Sequence, residues 1–138
     1  MNDLVLDTHV LVWLMMGNPR LQPAMRLQIH EAASEDRVIV SAITPWEIGL
    51  LAAKKRIDLG MDVQVWIDRA LGLPGIRLQA LSPAIAIAST RLPWEMHADP
   101  ADRILVATAR HLGATLITAD EQLLRFGAEG RLRCLPAV

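Results

Sequence analysis

Short, dense apolar runs alternate along this chain with longer stretches of helical patterning. The short runs are rich in Val, Ile, Leu and Thr and read as strands buried on both faces: Leu4–Leu6, Val38–Ser41, Ile76–Leu78, Thr115–Thr118 and a last one near Leu132–Leu135. Between them the pattern predicts helices over about 9–16, 23–33, 45–55, 62–71, 83–91, 100–112 and 121–126. Breakers sit at the junctions. Gly17-Asn18-Pro19 ends the first helix, Gly72 and Pro74 close the fourth, and Gly113 is placed as a C′ stop before the strand at 115. Strands alternating with helices predict a three-layer α/β/α domain around a central, mostly parallel sheet, with no internal repeat and no low-complexity segment. At 138 residues the chain is read as one domain, 1–138, long enough to bury a real core.

Composition adjusts this picture in three places. A hydrophobic content of 52 % and a mean hydropathy of +0.29 point to apolar surface covered by a partner, although a sheet buried on both faces raises hydropathy as well. The net charge of −1 provides no overall basic field to advertise nucleic-acid binding. Arg20, Arg26, Lys54, Lys55, Arg56, Arg103 and Arg110 are the bases that a local rim would draw on. Cys134 stands alone, which excludes an intrachain disulfide and suits a reducing, cytoplasmic setting. Asp7 and His9 interrupt the only early apolar run, so neither a signal peptide nor a membrane span is expected.

The candidate chemistry lies in the acids. Asp7 follows the first strand and Asp120 the fourth, while Glu47 and Asp102 fall in the first turns of two predicted helices. In open α/β sheets ligands bind beyond the carboxyl ends of the strands. Carboxylates gathered there without bases repel one another unless a cation intervenes, and an all-oxygen donor set suits hard ions such as Mg²⁺ or Mn²⁺. Each acid also has an ordinary structural reading. Asp7 and Asp120 can cap the helices that follow them. Thr44-Pro45-Trp46-Glu47 fits a capping box, with Thr44 as N-cap and Glu47 at N3. Asp99-Pro100-Ala101-Asp102 repeats the arrangement, and one of its two aspartates is free to act only as a cap. Capping does not explain why several strand-to-helix junctions all carry acids and none carries a glycine-rich phosphate loop.

Other residues weigh less. Ser41, Thr44 and Thr118 could hydrogen-bond the carboxylates. His9, His30, His97 and His111 have no zinc-like spacing, although His9 stands near Asp7. Trp13, Trp46, Trp66 and Trp94 read as core or interface anchors. A nucleophile elbow, a P-loop and a CxxC pair are all missing from the sequence.

The segments bearing the acids resemble those of the PIN-domain nucleases, and closely the VapC-type toxins of bacterial toxin–antitoxin pairs. The matching stretches are 6–13 (LDTHVLVW), 41–48 (SAITPWEI), 97–105 (HADPADRIL) and 116–120 (LITAD), in family order. The D-P-x-D-R block followed by T-x-D is the specific part. The resemblance implies an Mg²⁺- or Mn²⁺-dependent endoribonuclease acting on structured RNA such as tRNA or ribosomal RNA. It also implies a homodimer silenced by a VapB-like antitoxin. Carried over by motif, Asp7, Glu47, Asp102 and Asp120 form the acidic quartet. Asp99 is an additional metal candidate, because either Asp99 or Asp102 can be the third acid, and Thr8, Thr118 and Arg103 are supporting residues. Position 101 is Ala where this subgroup commonly has Phe. The expected reaction is phosphodiester hydrolysis by a metal-activated water, and Trp13 or Trp46 is where an apolar antitoxin helix would lie. The rival reading is a PIN-fold module that binds RNA or protein without cleaving it. A phosphatase with an aspartyl nucleophile is weaker still, because Asp7-Thr8-His9 has no second aspartate two residues on.

Overall fold

The computed structural model describes residues 2–97 and 99–138. Five strands, β1 (Leu4–Leu6), β2 (Val38–Ser41), β3 (Ile76–Gln79), β4 (Thr115–Thr118) and β5 (Arg133–Pro136), form one sheet in the order β3-β2-β1-β4-β5. Every pairing is parallel, with Val5 opposite Ile39 on one side and Leu116 on the other. The helices are α1 (Thr8–Met16), α2 (Pro23–Ser34), α3 (Ile43–Ala53), α4 (Val63–Leu71), α5 (Pro83–Thr90), α6 (Pro100–Leu112) and α7 (Glu121–Ala128). The predicted α/β/α architecture is therefore observed, with a sheet that is parallel throughout.

Strand alternation divides the core into two layers. Leu4, Leu6, Val38 and Val40 face Val10, Leu11, Ile29 and Trp66 from α1, α2 and α4. Val5, Ile39 and Leu116 face Leu105, Val106, Leu123 and Phe126 from α6 and α7. Both sheet faces are covered, so β1, β2 and β4 read as continuous apolar runs without polar alternation. Much of the high mean hydropathy is this core. Among the described residues no helix is long and apolar enough to cross a membrane.

Boundaries moved in a few places. Helix α3 starts at Ile43, two residues before the predicted start, and Pro45 sits in its first turn, where a backbone N–H has no intrahelical acceptor to lose. Asp62 is the N-cap of α4 and accepts from the Gln64 and Val65 amides. Gly17 and Gly113 both take the left-handed conformation that ends α1 and α6, as their placement predicted.

Gly75 marks a close approach. It lies at φ +85°, and a Cβ built on it would come within 1.9 Å of the Ala33 carbonyl oxygen near the end of α2. Backbone at both sides of this contact leaves nothing flexible to give way. Gly75→Ala should destabilise the fold by about 2 kcal/mol or more in a denaturant titration, and an unchanged midpoint would contradict this packing.

The chain runs from β1 outward to β2 and β3, then crosses back to β4 and β5 on the other side of β1. The strand order thus reverses between β1 and β4. That switch point opens a crevice beyond the carboxyl ends of these two strands, and Asp7 and Asp120 are the residues immediately past β1 and close behind β4.

Candidate active site

Asp7 is nearly buried and held from three directions. Its own amide donates to the Ile117 carbonyl at 3.0 Å, which ties it to β4. Oδ1 accepts from the Thr8 amide at 2.7 Å, making Asp7 the N-cap of α1, and Oδ2 accepts from Thr118 Oγ1 at 2.6 Å. Burial pushes its pKa up against these bonds, and nearby Asp120 adds to the rise. Capping uses Oδ1 and the Thr118 hydroxyl holds Oδ2, so the capping role predicted for Asp7 is observed and the carboxylate is fixed at the end of β1.

Thr118 also accepts from the Asp120 amide at 3.0 Å. One hydroxyl therefore joins the ends of both central strands, as the sequence suggested for this position. Asp120 caps α7 through Oδ1, which accepts from the Leu123 amide at 2.9 Å.

The capping box predicted for Glu47 is not formed. With α3 starting at Ile43, the position before it is Ala42, which offers no side-chain cap, and Ser41 Oγ instead accepts from the Ile43 amide at 3.2 Å. Thr44 Oγ1 is buried without a hydrogen-bond partner. The Glu47 carboxylate is thus released from backbone duty and projects into the acidic region. Its pKa is raised, chiefly by burial and further by Asp7 and Asp99, while the Thr8 hydroxyl and His9 oppose the rise. Thr8 Oγ1 is fully buried and near enough to favour the Glu47 carboxylate, yet it makes no hydrogen bond of good geometry.

At the start of α6 the two aspartates divide their roles. Asp99 is exposed and is the N-cap, with Oδ1 accepting from the Asp102 amide at 3.1 Å. The Asp102 side chain is only 17 % exposed, and His97 Nε2 lies 3.3 Å from its Oδ2. His97 Nδ1 accepts from the Asp99 amide at 3.2 Å, which leaves Nε2 as the protonated nitrogen that faces Asp102. His97 was missed as a site residue. Its signal was local: it stands two positions before the cap of the helix that carries Asp102.

Arg103 does not reach the carboxylates. Its guanidinium donates to the carbonyls of Ser89 (2.9 Å), Met96 (3.2 Å) and His97 (3.3 Å). It pins the segment that delivers His97 and so acts on the site from behind. The basic rim is only partly assembled as well. Lys54 and Arg56 border the acidic region, whereas Arg26 bonds the Leu14 and Asn18 carbonyls and Arg110 lies against Trp94. Of the tryptophans, Trp66 is core, Trp13 and Trp94 are half-buried, and Trp46 stands 53 % exposed beside Glu47.

The electrostatics gather these groups into one site. Asp102 is pushed up to about 8, first by burial and then by Asp7, Asp99, Asp120 and Glu47 acting on it together. Among the described residues no three acids, histidines or cysteines meet as a ready-made ion cage. The donor chemistry nevertheless fits a hard divalent ion: every group is oxygen, and their mutual repulsion is what such a charge relieves.

These acids lie at the switch point of a parallel sheet sandwiched between helices. The chain belongs to the PIN-domain family, whose pattern it matches over residues 4–129. It is 33 % identical over 123 residues to Ribonuclease VapC22 of Mycobacterium tuberculosis, covering 89 % of this chain and 91 % of that protein. Solved structures share the fold at lower identity. DNA-bound VapBC from Salmonella typhimurium superposes with a TM-score of 0.70 at 17 % identity and full coverage of both chains. VapBC2 from Rickettsia felis, bound to a promoter DNA fragment, gives 0.67 at 16 % identity, with 96 % of this chain and 97 % of that chain covered.

Proposed function

We propose that residues 1–138 form a single nuclease unit, a divalent-metal-dependent endoribonuclease that hydrolyses RNA phosphodiester bonds as the toxin of a toxin–antitoxin pair. The observation that carries the reading is Asp102 at the switch point, where burial first, and then the charges of Asp7, Asp99, Asp120 and Glu47, push its carboxyl up to about 8. The relative named a ribonuclease, aligned over most of both chains, supports RNA as the substrate.

Asp7, Glu47, Asp102 and Asp120 would hold the ion, Mg²⁺ or Mn²⁺, with Asp99 at its edge. When bound, such an ion supplies an activated water and offsets charge on the phosphate oxygens. The chain's own groups do the rest. Thr118 fixes the Asp7 and Asp120 strand ends relative to each other, and Thr8 favours the charged form of Glu47. His97 Nε2–H orients the Asp102 carboxylate, and Arg103 holds the His97 segment in place. The solved neighbours described as VapBC and FitAB or FitAcB assemblies support a VapB-like antitoxin as partner, with the homodimer the resemblance implies.

The test is incubation of the purified chain with a pool of tRNA and ribosomal RNA in Mg²⁺, Mn²⁺ or EDTA. Discrete fragments that vanish in EDTA and in Asp7→Asn are expected. Cleavage that persists in both would overturn the assignment of this centre.

A further inference from the structure

Helix α3 carries Glu47 into the acidic crevice, and the same helix face continues away from it as an unoccupied groove. Trp46, Glu47, Leu50, Leu51 and Lys54 follow one another at helical spacing. With Arg56 they form one wall of a groove of about 280 Å³ whose other wall is Asp99, Pro100 and Ala101 at the start of α6. The groove's lining combines the Glu47 and Asp99 carboxylates, the Trp46 ring and Leu50 (38 % exposed) with two bases, Lys54 at the end of α3 and Arg56 just beyond it. Among the described residues neither Lys54 nor Arg56 is in an ion pair.

We infer that this groove is the path of the RNA strand next to the scissile bond, with a nucleobase stacked on Trp46 and the adjoining phosphates held by Lys54 and Arg56. The inference rests on the ribonuclease reading of the acidic centre and names how that centre takes a single-stranded segment. Three features favour a polynucleotide over a protein helix. The seven steps from Glu47 to Lys54 span about 10 Å along the helix, a distance that an extended strand covers in a nucleotide or two. An indole half open to solvent, in a groove that also carries cations, is the arrangement by which proteins hold single strands without reading sequence. Lys54 and Arg56, in no ion pair among the described residues, match phosphates and would repel any basic peptide segment. The small Ala101 side chain, buried in the α6 wall, lines the groove between the helices.

The test is anisotropy with a short fluorescein-labelled oligouridylate, in EDTA so that nothing is cleaved, over a range of salt. Trp46→Ala should weaken binding by about 5- to 150-fold, the range observed when one stacked base loses its platform, and Trp46→Phe should recover most of it. Lys54→Ala combined with Arg56→Ala should make the slope of log K against log salt shallower by about 1.4, the share of two phosphates on a single strand. Ala101→Phe should weaken binding by filling the groove and leave the slope unchanged. Arg133→Ala, on the far strand, should change neither. Unaltered affinity in Trp46→Ala, or an unaltered slope in the double variant, would overturn the inference, whichever protein partner those variants still bind. The two readings fail separately. Wild type that cleaves the RNA pool but ignores Trp46 for oligouridylate removes the groove alone. Trp46-dependent binding with no cleavage of any RNA removes the nuclease.

Discussion

In EDTA at pH 8 and above, Asp102→Asn should melt at a higher temperature than the wild type, and the gap should close as the pH is lowered toward 4. The reason is the direction of the Asp102 shift. Folding raises its pKa from 3.8 to about 8 through burial and four neighbouring carboxylates, so the folded state favours the protonated form. The stability this gives is fully present below the unfolded pKa and is lost as the pH rises through the folded one. The ion-free wild type therefore weakens between about pH 4 and 8, and an amide that never ionises does not. A divalent ion should reverse the order at pH 8, stabilising the wild type far more than the variant, because a ligand that binds only the folded state adds stability with concentration. Its binding should strengthen with pH and release protons. Differential scanning fluorimetry across pH, with and without Mn²⁺, measures all of this. Parallel pH profiles for the two proteins in EDTA would contradict the assignment of Asp102 to a crowded, desolvated position.

Thr118→Val should cost more than its size suggests. The hydroxyl is fully buried, donates to Asp7 at 2.6 Å and accepts from the Asp120 amide at 3.0 Å. Valine has nearly the same shape and satisfies neither group. An orphaned buried donor and an unsupported carboxylate each cost about 1–3 kcal/mol, and losing a hydrogen bond behind a ligand reduces affinity or activity by about 10- to 100-fold. Without its Thr118 donor, Asp7 also ionises at higher pH, since that bond is the largest influence opposing burial. The cleavage profile should accordingly move to the alkaline side, and Thr118→Ser should restore both rate and profile. A valine variant with the wild-type rate would reduce Thr118 to a packing residue.

These effects follow from positions that the apolar pattern already marked. The runs at 4–6, 38–41 and 115–118 are strands because both sheet faces are covered, and period-2 alternation was never needed to find them. Asp7 and Asp120 could be located because a strand end is also where the sheet's crevice opens. The start of α3 was less visible. Thr44-Pro45 resembles a helix entrance, yet Ser41 supplies the hydroxyl three residues earlier and the helix begins at Ile43. That shift is what frees Glu47 from the capping role predicted for it. The roles of Asp99 and Asp102 were open in the sequence, because residues three apart share a helix face; the hydrogen bond from the Asp102 amide to Asp99 separates them. His97 and Arg103 were not legible in their actual roles. Each acts through a contact across the loop preceding α6, and no local spacing rule encodes those contacts.

Asp102 is proposed as part of the reacting centre, whereas Asp99, three residues before it, chiefly caps the helix. Asparagine serves as well as aspartate at an N-cap, so Asp99→Asn preserves the fold at that point, and Asp102→Asn removes one carboxylate from the crevice. The most direct measurement is the initial rate of cleavage of one RNA from the tRNA and ribosomal pool by wild type and both variants in saturating Mn²⁺. We expect Asp102→Asn to lose about 10³-fold or more and Asp99→Asn to stay within about tenfold of wild type. An active Asp102→Asn, or an Asp99→Asn just as inactive, would contradict the account.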